Sequence, residues 1–192
     1  MIKALTPWQN NGTDFILASA SPRRREILNM IGLKFRVVVS NVREQDYDLP
    51  PDELVCALAR DKAEAVFADN PDSVVLAADT VVWIDNKILG KPQNRDDAVS
   101  MLKLLSGRRH EVYTGYCVLS RDYTACDYVR TSVYFKELSR DIINFYIDTG
   151  EPFDKAGGYG IQGKGALLVE RIDGDYLNVV GLPVSKIFER DV

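Results

Sequence analysis

The sequence contains a single histidine, and this scarcity excludes several kinds of catalytic site. His110 stands in the run His110-Glu111-Val112-Tyr113-Thr114 and lacks the second histidine of a His-Glu-x-x-His zinc helix. One histidine also leaves little room for Ser-His-Asp catalysis beside a metal centre. Cys126 and Arg130 are too close in sequence to form the phosphate loop of a cysteine phosphatase. The remaining chemistry belongs to carboxylates, lysines, arginines and glycines.

The chain is also poor in cysteine and in long apolar segments. Its three cysteines, Cys56, Cys117 and Cys126, are odd in number and show no paired metal-ligand spacing, so we expect reduced thiols and an intracellular protein. No apolar run approaches the length of a membrane span. The first dozen residues match no signal peptide. We therefore predict that the protein has no membrane partner.

The length and the net charge of the chain restrict its domain organisation and the kinds of partner that it could bind. The 192 residues fit one domain, and we predict an N-terminal extension over residues 1–13 followed by a single domain over residues 14–192. The net charge of −4 argues against a nucleic-acid partner, which would need a broad basic face. A small, multiply charged ligand fits this composition better.

The stretch from Phe15 to Leu28 predicts a strand, a tight turn and a helix N-terminus. Its apolar start is typical of a buried strand, and Pro22 is favoured at the first position of a helix. Three arginines, Arg23 to Arg25, then fall in the first helical turn, where the helix dipole disfavours cations. A bound phosphate would explain them, because it accepts from helix N–H groups, from the hydroxyls of Ser19 and Ser21, and from a guanidinium. A merely solvated basic turn is the alternative.

Further along, helical and strand-like segments intermingle and predict an α/β protein with a mixed sheet. Ser73 to Ile84 is a long apolar strand, followed by a turn at Asp85-Asn86-Lys87. We also predict a hairpin of residues 166–172 and 176–180 over Asp173-Gly174. The glycine-rich stretch from Gly157 to Gly165 matches neither a P-loop nor a dinucleotide-binding fingerprint.

Asp79 is the most informative single residue, because it interrupts an otherwise apolar core strand. A buried carboxylate is costly unless it meets a cation, a metal ion or several hydrogen-bond donors. Asp79 could therefore bind a metal, act as a general base, cap a turn or pair with an arginine. Glu44, in an acidic loop, is a candidate second carboxylate. Lys62, near the end of a helix, and Lys91, in the constrained loop Gly90-Lys91-Pro92, are weaker candidates for the site.

Several motifs, in order, resemble the Maf family. They are Leu17-Ala18-Ser19-Ala20-Ser21-Pro22-Arg23-Arg24, Ala78-Asp79-Thr80, Gly90-Lys91-Pro92, Leu105-Ser106-Gly107, the run from Glu151 to Gly163, and Gly181-Leu182-Pro183. The resemblance implies an inosine triphosphatase-like fold, with a mixed central sheet flanked by helices. It also implies a cytoplasmic, usually homodimeric nucleoside triphosphate pyrophosphatase that depends on a divalent metal, Mg²⁺ or Mn²⁺. The Asp-Lys-Ala-Gly-x-Tyr-Gly-Ile-Gln form resembles the branch acting on dTTP and UTP.

The same resemblance implies roles for individual residues. It assigns substrate binding to Ser19, Arg23, Arg24, Lys62 and Gln162, catalysis to Asp79, Glu44 and Lys91, and metal binding to Asp79 and Glu44. Arg43 departs from the family pattern, which usually has a second acid beside Glu44. Water would attack the α-phosphorus and pyrophosphate would leave. The alternative function is a nucleotide-binding regulator of cell division in which hydrolysis is slow or incidental.

Overall fold

Seven strands form one mixed sheet in the computed structural model, which describes residues 12–40, 42 and 47–189. The strand order is β2-β1-β3-β5-β6-β7, with β4 paired to β3. β1 runs parallel to β2 and β3, whereas β4 and β7 run antiparallel to β3 and β6. The strands are β1 Phe15–Leu17, β2 Arg36–Val37, β3 Val74–Ile84, β4 Lys87–Leu89, β5 Arg109–Ser120, β6 Tyr123–Phe135 and β7 Val169–Asp173.

The described residues contain six α-helices and three short 3-10 helices, and together with the sheet they confirm the predicted α/β class with a mixed sheet. The side chains of Asn94 and Ser139 cap two of the α-helices, accepting from the N–H groups of Asp97 and Ile142. The α-helices are α1 Pro22–Met30, α2 Pro51–Ala68, α3 Arg95–Leu105, α4 Arg140–Asp148, α5 Tyr176–Val180 and α6 Val184–Ile187. The 3-10 helices are Glu151–Asp154, Ala156–Gly158 and Gly163–Leu167.

The chain divides into two compact units. The first contains the described residues of Met1–Asp79, Thr114–Val129 and Gly181–Val192, and the second contains Thr80–Tyr113 and Arg130–Val180. The single domain over residues 14–192 and the extension over residues 1–13 stay predictions. Within the described ranges, no helix combines the length and apolarity needed to cross a membrane.

The core of the first unit forms around β1, which begins the phosphate motif. All three residues of β1 are buried, and Ala18 N–H extends the ladder by donating to the Leu76 carbonyl at 2.8 Å. Helix α2 packs against the sheet through small residues, among them Ala59 and Ala63, both fully buried. The approach is closest at Gly115, where a β-carbon would lie 2.3 Å from the carbonyl carbon of Val55. The sheet therefore fixes the position of α2.

The core of the second unit contains a polar pair among its apolar side chains. His110 Nε2 lies 2.6 Å from the Tyr159 hydroxyl, and both residues are buried. The His110 and Phe135 rings meet edge to face, with centroids 5.0 Å apart. Burial lowers the pKa of His110 to about 3, so the imidazole is neutral at neutral pH.

The predicted hairpin over Asp173-Gly174 is wrong. Residues 169–173 form β7, but β7 pairs with β6, and Tyr176–Val180 is helix α5. The cause is the Asp175 carboxylate, which accepts from the N–H groups of Leu177 at 2.7 Å and Asn178 at 3.2 Å. These side-chain bonds satisfy helix N–H groups that a strand would have paired with its neighbour.

The expectation of three reduced cysteines is also wrong. Cys117 and Cys126 form a disulfide between β5 and β6, and their Cα atoms are 4.1 Å apart. Cys56 is a free thiol. The two strands extend further toward their turn than the sequence indicated, and this extension places the two cysteines opposite each other.

Adding a methyl group at Gly115 tests the close contact between α2 and β5. Gly115→Ala should lower the free energy of unfolding by about 1–3 kcal/mol, because the backbone of Val55 must move to admit the β-carbon. Gly90→Ala is the control, since a β-carbon there meets nothing within 4 Å. Urea unfolding of both variants gives the comparison, and equal losses would contradict the close contact.

Burial of neutral His110 should make unfolding depend on pH. Its folded pKa lies below the ordinary 6.5, so this contribution to stability is complete above pH 6.5 and is lost as the pH falls toward 3. Relative to His110→Gln, which does not titrate, the wild type should lose about 2–3 kcal/mol of unfolding free energy between pH 7 and pH 4.5. Urea unfolding at a series of pH values measures this difference, and a constant difference would show that His110 titrates normally.

Candidate active site

The loop between β1 and α1 presents a serine hydroxyl at a helix N-terminus. Ser19 is buried, and its Oγ accepts from the Ser21 N–H at 3.2 Å and from Arg24 Nη1 at 3.0 Å. A hydroxyl oxygen has two acceptor sites and one proton. Because both acceptor sites are in use, the Ser19 proton remains for donation to another group. The loop thus supplies a hydroxyl donor, as an anion site requires.

Arg24 holds this loop in place. Its Nε donates to the Gly181 carbonyl at 2.9 Å while Nη1 donates to Ser19, so one guanidinium joins the loop to a distant segment of the chain. Burial lowers the pKa of Arg24, Asp79 opposes this shift, and Arg23 adds to it. Arg24 is therefore electrostatically coupled to both neighbours. Both of these hydrogen bonds join Arg24 to other groups of the protein, as expected of a residue that positions Ser19.

Asp79 lies where β3 emerges from the core of the first unit, after five buried residues. Its carboxylate accepts a hydrogen bond from the Lys62 ammonium of α2, and the two side chains are 14% and 16% exposed. Asp79 therefore pairs with a lysine, and it also interacts electrostatically with an arginine, Arg24. The first unit therefore brings together four predicted site residues, Ser19, Arg24, Lys62 and Asp79.

The first turn of α1 concentrates positive charge beside this cluster. It holds no acidic residue, and Pro22 is its first residue, followed by Arg23 and Arg24. Cations at a helix N-terminus repel the partial positive charge of the free N–H groups. An anion bound at this end would relieve the repulsion, as the sequence indicated.

Two further predicted residues lie in the second unit. Lys91 is exposed, and its loop is held to the glycine-rich segment because the Gly157 N–H donates to the Gly90 carbonyl at 2.9 Å. Gln162 is exposed as well and precedes the last 3-10 helix. The second unit thus brings the Lys91 loop against the segment that leads to Gln162.

Glu44 and Arg43 lie outside the described residues. Among the described residues that follow them, the Tyr47 hydroxyl donates to the carboxylate of Asp61 on α2 at 2.7 Å. Within residues 12–40, 42 and 47–189, no group of three or more histidine, cysteine or acidic side chains could hold a metal ion. Asp79 is the predicted metal ligand that the structure does describe.

Comparison with known proteins identifies the family of this sequence. The family model of Maf-like proteins matches residues 14–190. The chain belongs to the Maf family. The resemblance carried by the motifs is therefore confirmed, and the match begins one residue before β1.

Relatives of this Maf chain are similar over nearly their whole length. A dTTP/UTP pyrophosphatase from Bacillus cereus is 51% identical over 179 residues, covering 92% of this chain and 88% of the relative. A dTTP/UTP pyrophosphatase from Bacillus cytotoxicus is 53% identical over 175 residues, covering 90% and 91%. These names agree with the predicted branch of the family.

One solved structure is a nucleoside-triphosphatase, or dITP/XTP pyrophosphatase, from Mycobacterium abscessus. It matches with a TM-score of 0.42 and 10% sequence identity, over 66% of this chain and 76% of that chain. A likeness this slight carries no argument about the Maf chain.

The arginines should differ in their effect on stability. Arg24→Lys should lower the free energy of unfolding by about 1–3 kcal/mol, because lysine has no planar fork and cannot bond both Gly181 and Ser19 in this geometry. The matched variant Arg25→Lys keeps the charge of the same helix at an exposed position and should change stability little. Thermal and urea unfolding of both variants measure the difference. Equal losses would refute the positioning role of Arg24.

Proposed function

We propose that this chain is a nucleoside triphosphate pyrophosphatase that hydrolyses dTTP and UTP to the monophosphate and pyrophosphate. The observation that carries the proposal is the cluster of Ser19, Arg24, Lys62 and Asp79 at the N-terminus of α1. It combines a donor, cations and a carboxylate, which are the parts needed to bind and hydrolyse a phosphoanhydride. The relatives named dTTP/UTP pyrophosphatases support the choice of substrate.

In this proposal the phosphates bind at the loop before α1. Ser19 donates its remaining proton to a phosphate oxygen, and Arg23 and the free N–H groups of α1 supply positive potential. Arg24 contributes charge and keeps the Ser19 oxygen oriented as a donor. Lys91 and Gln162 are proposed to bind the substrate as well. Hydrogen bonds that are already in place need not be formed at the moment of reaction, which favours the transition state.

Asp79 is the proposed catalytic carboxylate. It orients a water molecule and accepts its proton as the oxygen attacks the α-phosphorus; the bond to the bridging oxygen breaks, and pyrophosphate leaves with that electron pair. Lys62 neutralises negative charge beside Asp79, so that a carboxylate can lie near a polyphosphate. A protein that only bound nucleotide would gain nothing from this carboxylate, so Asp79 favours an enzyme over the regulator.

We propose a divalent cation, Mg²⁺ or Mn²⁺, as cofactor, held by Asp79 and Glu44. The described part of the donor set fits, because Mg²⁺ is usually held by one or two carboxylates together with substrate phosphates, and Asp79 lies beside the proposed phosphate loop. The ion would supply positive charge to the phosphate oxygens. A homodimer, a cytoplasmic location and a single domain over residues 14–192 also belong to this proposal.

A substrate screen tests the proposed function. Pyrophosphate and nucleoside monophosphate are quantified after incubation of the full chain with dTTP, UTP, CTP, ATP or GTP and Mg²⁺ or Mn²⁺. We expect dTTP and UTP to react at least 10²-fold faster than the others, because a pocket that hydrogen-bonds one base edge rejects bases that leave its groups unpaired. Equal rates would refute the pyrimidine preference, and release of orthophosphate would refute the pyrophosphatase.

Removing the charge of Asp79 tests its catalytic role. Asp79→Asn should lower pyrophosphate release about 10³-fold, because the amide neither accepts a proton nor balances a cation. The amide oxygen can still accept from Lys62, so the protein should remain folded. Asp85→Asn is the matched control, since Asp85 pairs with Arg108 at an exposed site, 2.6 Å apart. Near-normal turnover in Asp79→Asn would remove this residue from the mechanism.

A further inference from the structure

The proposed chemistry leaves unexplained the buried pair of His110 and Tyr159. The two residues are 2% and 5% exposed, and the Tyr159 hydroxyl is 2.6 Å from His110 Nε2. Three rings pack edge to face around this contact, with the Phe135 and Tyr159 centroids 4.7 Å apart. Aromatic packing alone would not require either polar group.

The direction of the hydrogen bond follows from the protonation states. Burial lowers the pKa of His110 to about 3 and raises the pKa of Tyr159, so both side chains are neutral. Among the described residues, His110 Nδ1 has no hydrogen-bond partner. If Tyr159 donates to Nε2, one buried group stays unpaired, whereas the reverse direction would leave both Nδ1 and the tyrosyl proton unpaired. Tyr159 is therefore the donor.

This arrangement costs stability that an apolar pair would not. Replacing both partners of a buried hydrogen bond with apolar groups of similar shape can be neutral or stabilising. Here the cost is larger still, because His110 Nδ1 is buried without a partner in the described part of the chain. Buried polar contacts can nevertheless be useful, because they favour one arrangement of the backbone over others.

The backbone in question is the glycine-rich segment, which is fixed on both sides of Tyr159. The Gly157 N–H donates to the Gly90 carbonyl at 2.9 Å, and the Gly160 N–H donates to the Tyr146 hydroxyl at 3.0 Å. Gly157 has φ +67° and lies against Val82, so this backbone tolerates no side chain there. Three residues after Tyr159, Gln162 is exposed.

We propose that His110 is a positioning residue for base recognition: through Tyr159 it fixes the segment from Gly157 to Gln162, and thereby sets the preference for dTTP and UTP. The inference rests on the proposed function and deepens it. Discrimination between bases depends on whether buried polar groups are paired, so a loosened segment should bind the preferred base less well and the others about equally.

Steady-state kinetics of five proteins test this role: wild type, Tyr159→Phe, His110→Leu, the double variant of these two, and His110→Gln. We expect Tyr159→Phe and the double variant to reduce the ratio of kcat/KM for dTTP to that for CTP at least tenfold, chiefly through a higher KM for dTTP. Inhibition by pyrophosphate should change less than the KM for dTTP, because Ser19, Arg23, Arg24 and Lys62 of the proposed phosphate site lie outside this segment. His110→Gln, which retains an acceptor, should recover part of the preference.

Melting temperatures separate positioning from simple stability. The double variant has no unpaired buried polar group at this site, so its melting temperature should lie above those of the single variants while its base preference stays low. Recovery of preference together with stability, or unchanged preference in every variant, would overturn the positioning role while leaving the proposed function intact. A wild type that hydrolyses neither dTTP nor UTP would overturn both.

Discussion

The site depends on the charge balance between Lys62 and Asp79. Each side chain is largely buried, and a charge in such surroundings is costly without a partner. The Asp79 carboxylate also interacts electrostatically with Arg24 of helix α1. A bound polyphosphate would offer the Lys62 ammonium a phosphate oxygen, and the Asp79 carboxylate would hold the proposed divalent cation. The proposed function thus implies that Lys62 and Asp79 would exchange partners when the substrate binds.

The fold supports this exchange by fixing both members on rigid elements. Asp79 lies on the long strand β3, and Lys62 lies on α2, whose approach to β5 requires glycine at position 115. Arg24 connects the phosphate loop to Gly181 and orients the Ser19 hydroxyl. The charged groups are thus held in place before any ligand arrives, which reduces the reorganisation that catalysis requires. In the second unit, the glycine-rich segment is fixed in a comparable way by His110, Tyr146 and the Gly90 carbonyl.

The sequence predicted those secondary-structure elements that depend on interactions between residues close together in the chain. The apolar run with Asp79 gave β3, and Pro22 after two serines marked the start of α1, because both signals act over a few residues. The matched motifs and their order along the chain identified the Maf family. Contacts between distant segments were not predictable in this way: the Arg24 bond to Gly181, the Lys62 pair and the His110–Tyr159 contact join residues whose proximity only the fold establishes. Helix α5 was missed because Asp175 acts as a cap in a segment that reads as a strand.

The most direct test of the central claim is a double-mutant cycle on Lys62 and Asp79, measured as the affinity for pyrophosphate without divalent metal. Titration calorimetry on wild type, Lys62→Gln, Asp79→Asn and the double variant gives the coupling free energy between the two residues in pyrophosphate binding. If Lys62 exchanges Asp79 for phosphate, Asp79→Asn should bind pyrophosphate more tightly than wild type, and adding Lys62→Gln should abolish that gain. Additive effects, or weaker binding by Asp79→Asn, would contradict the exchange of partners.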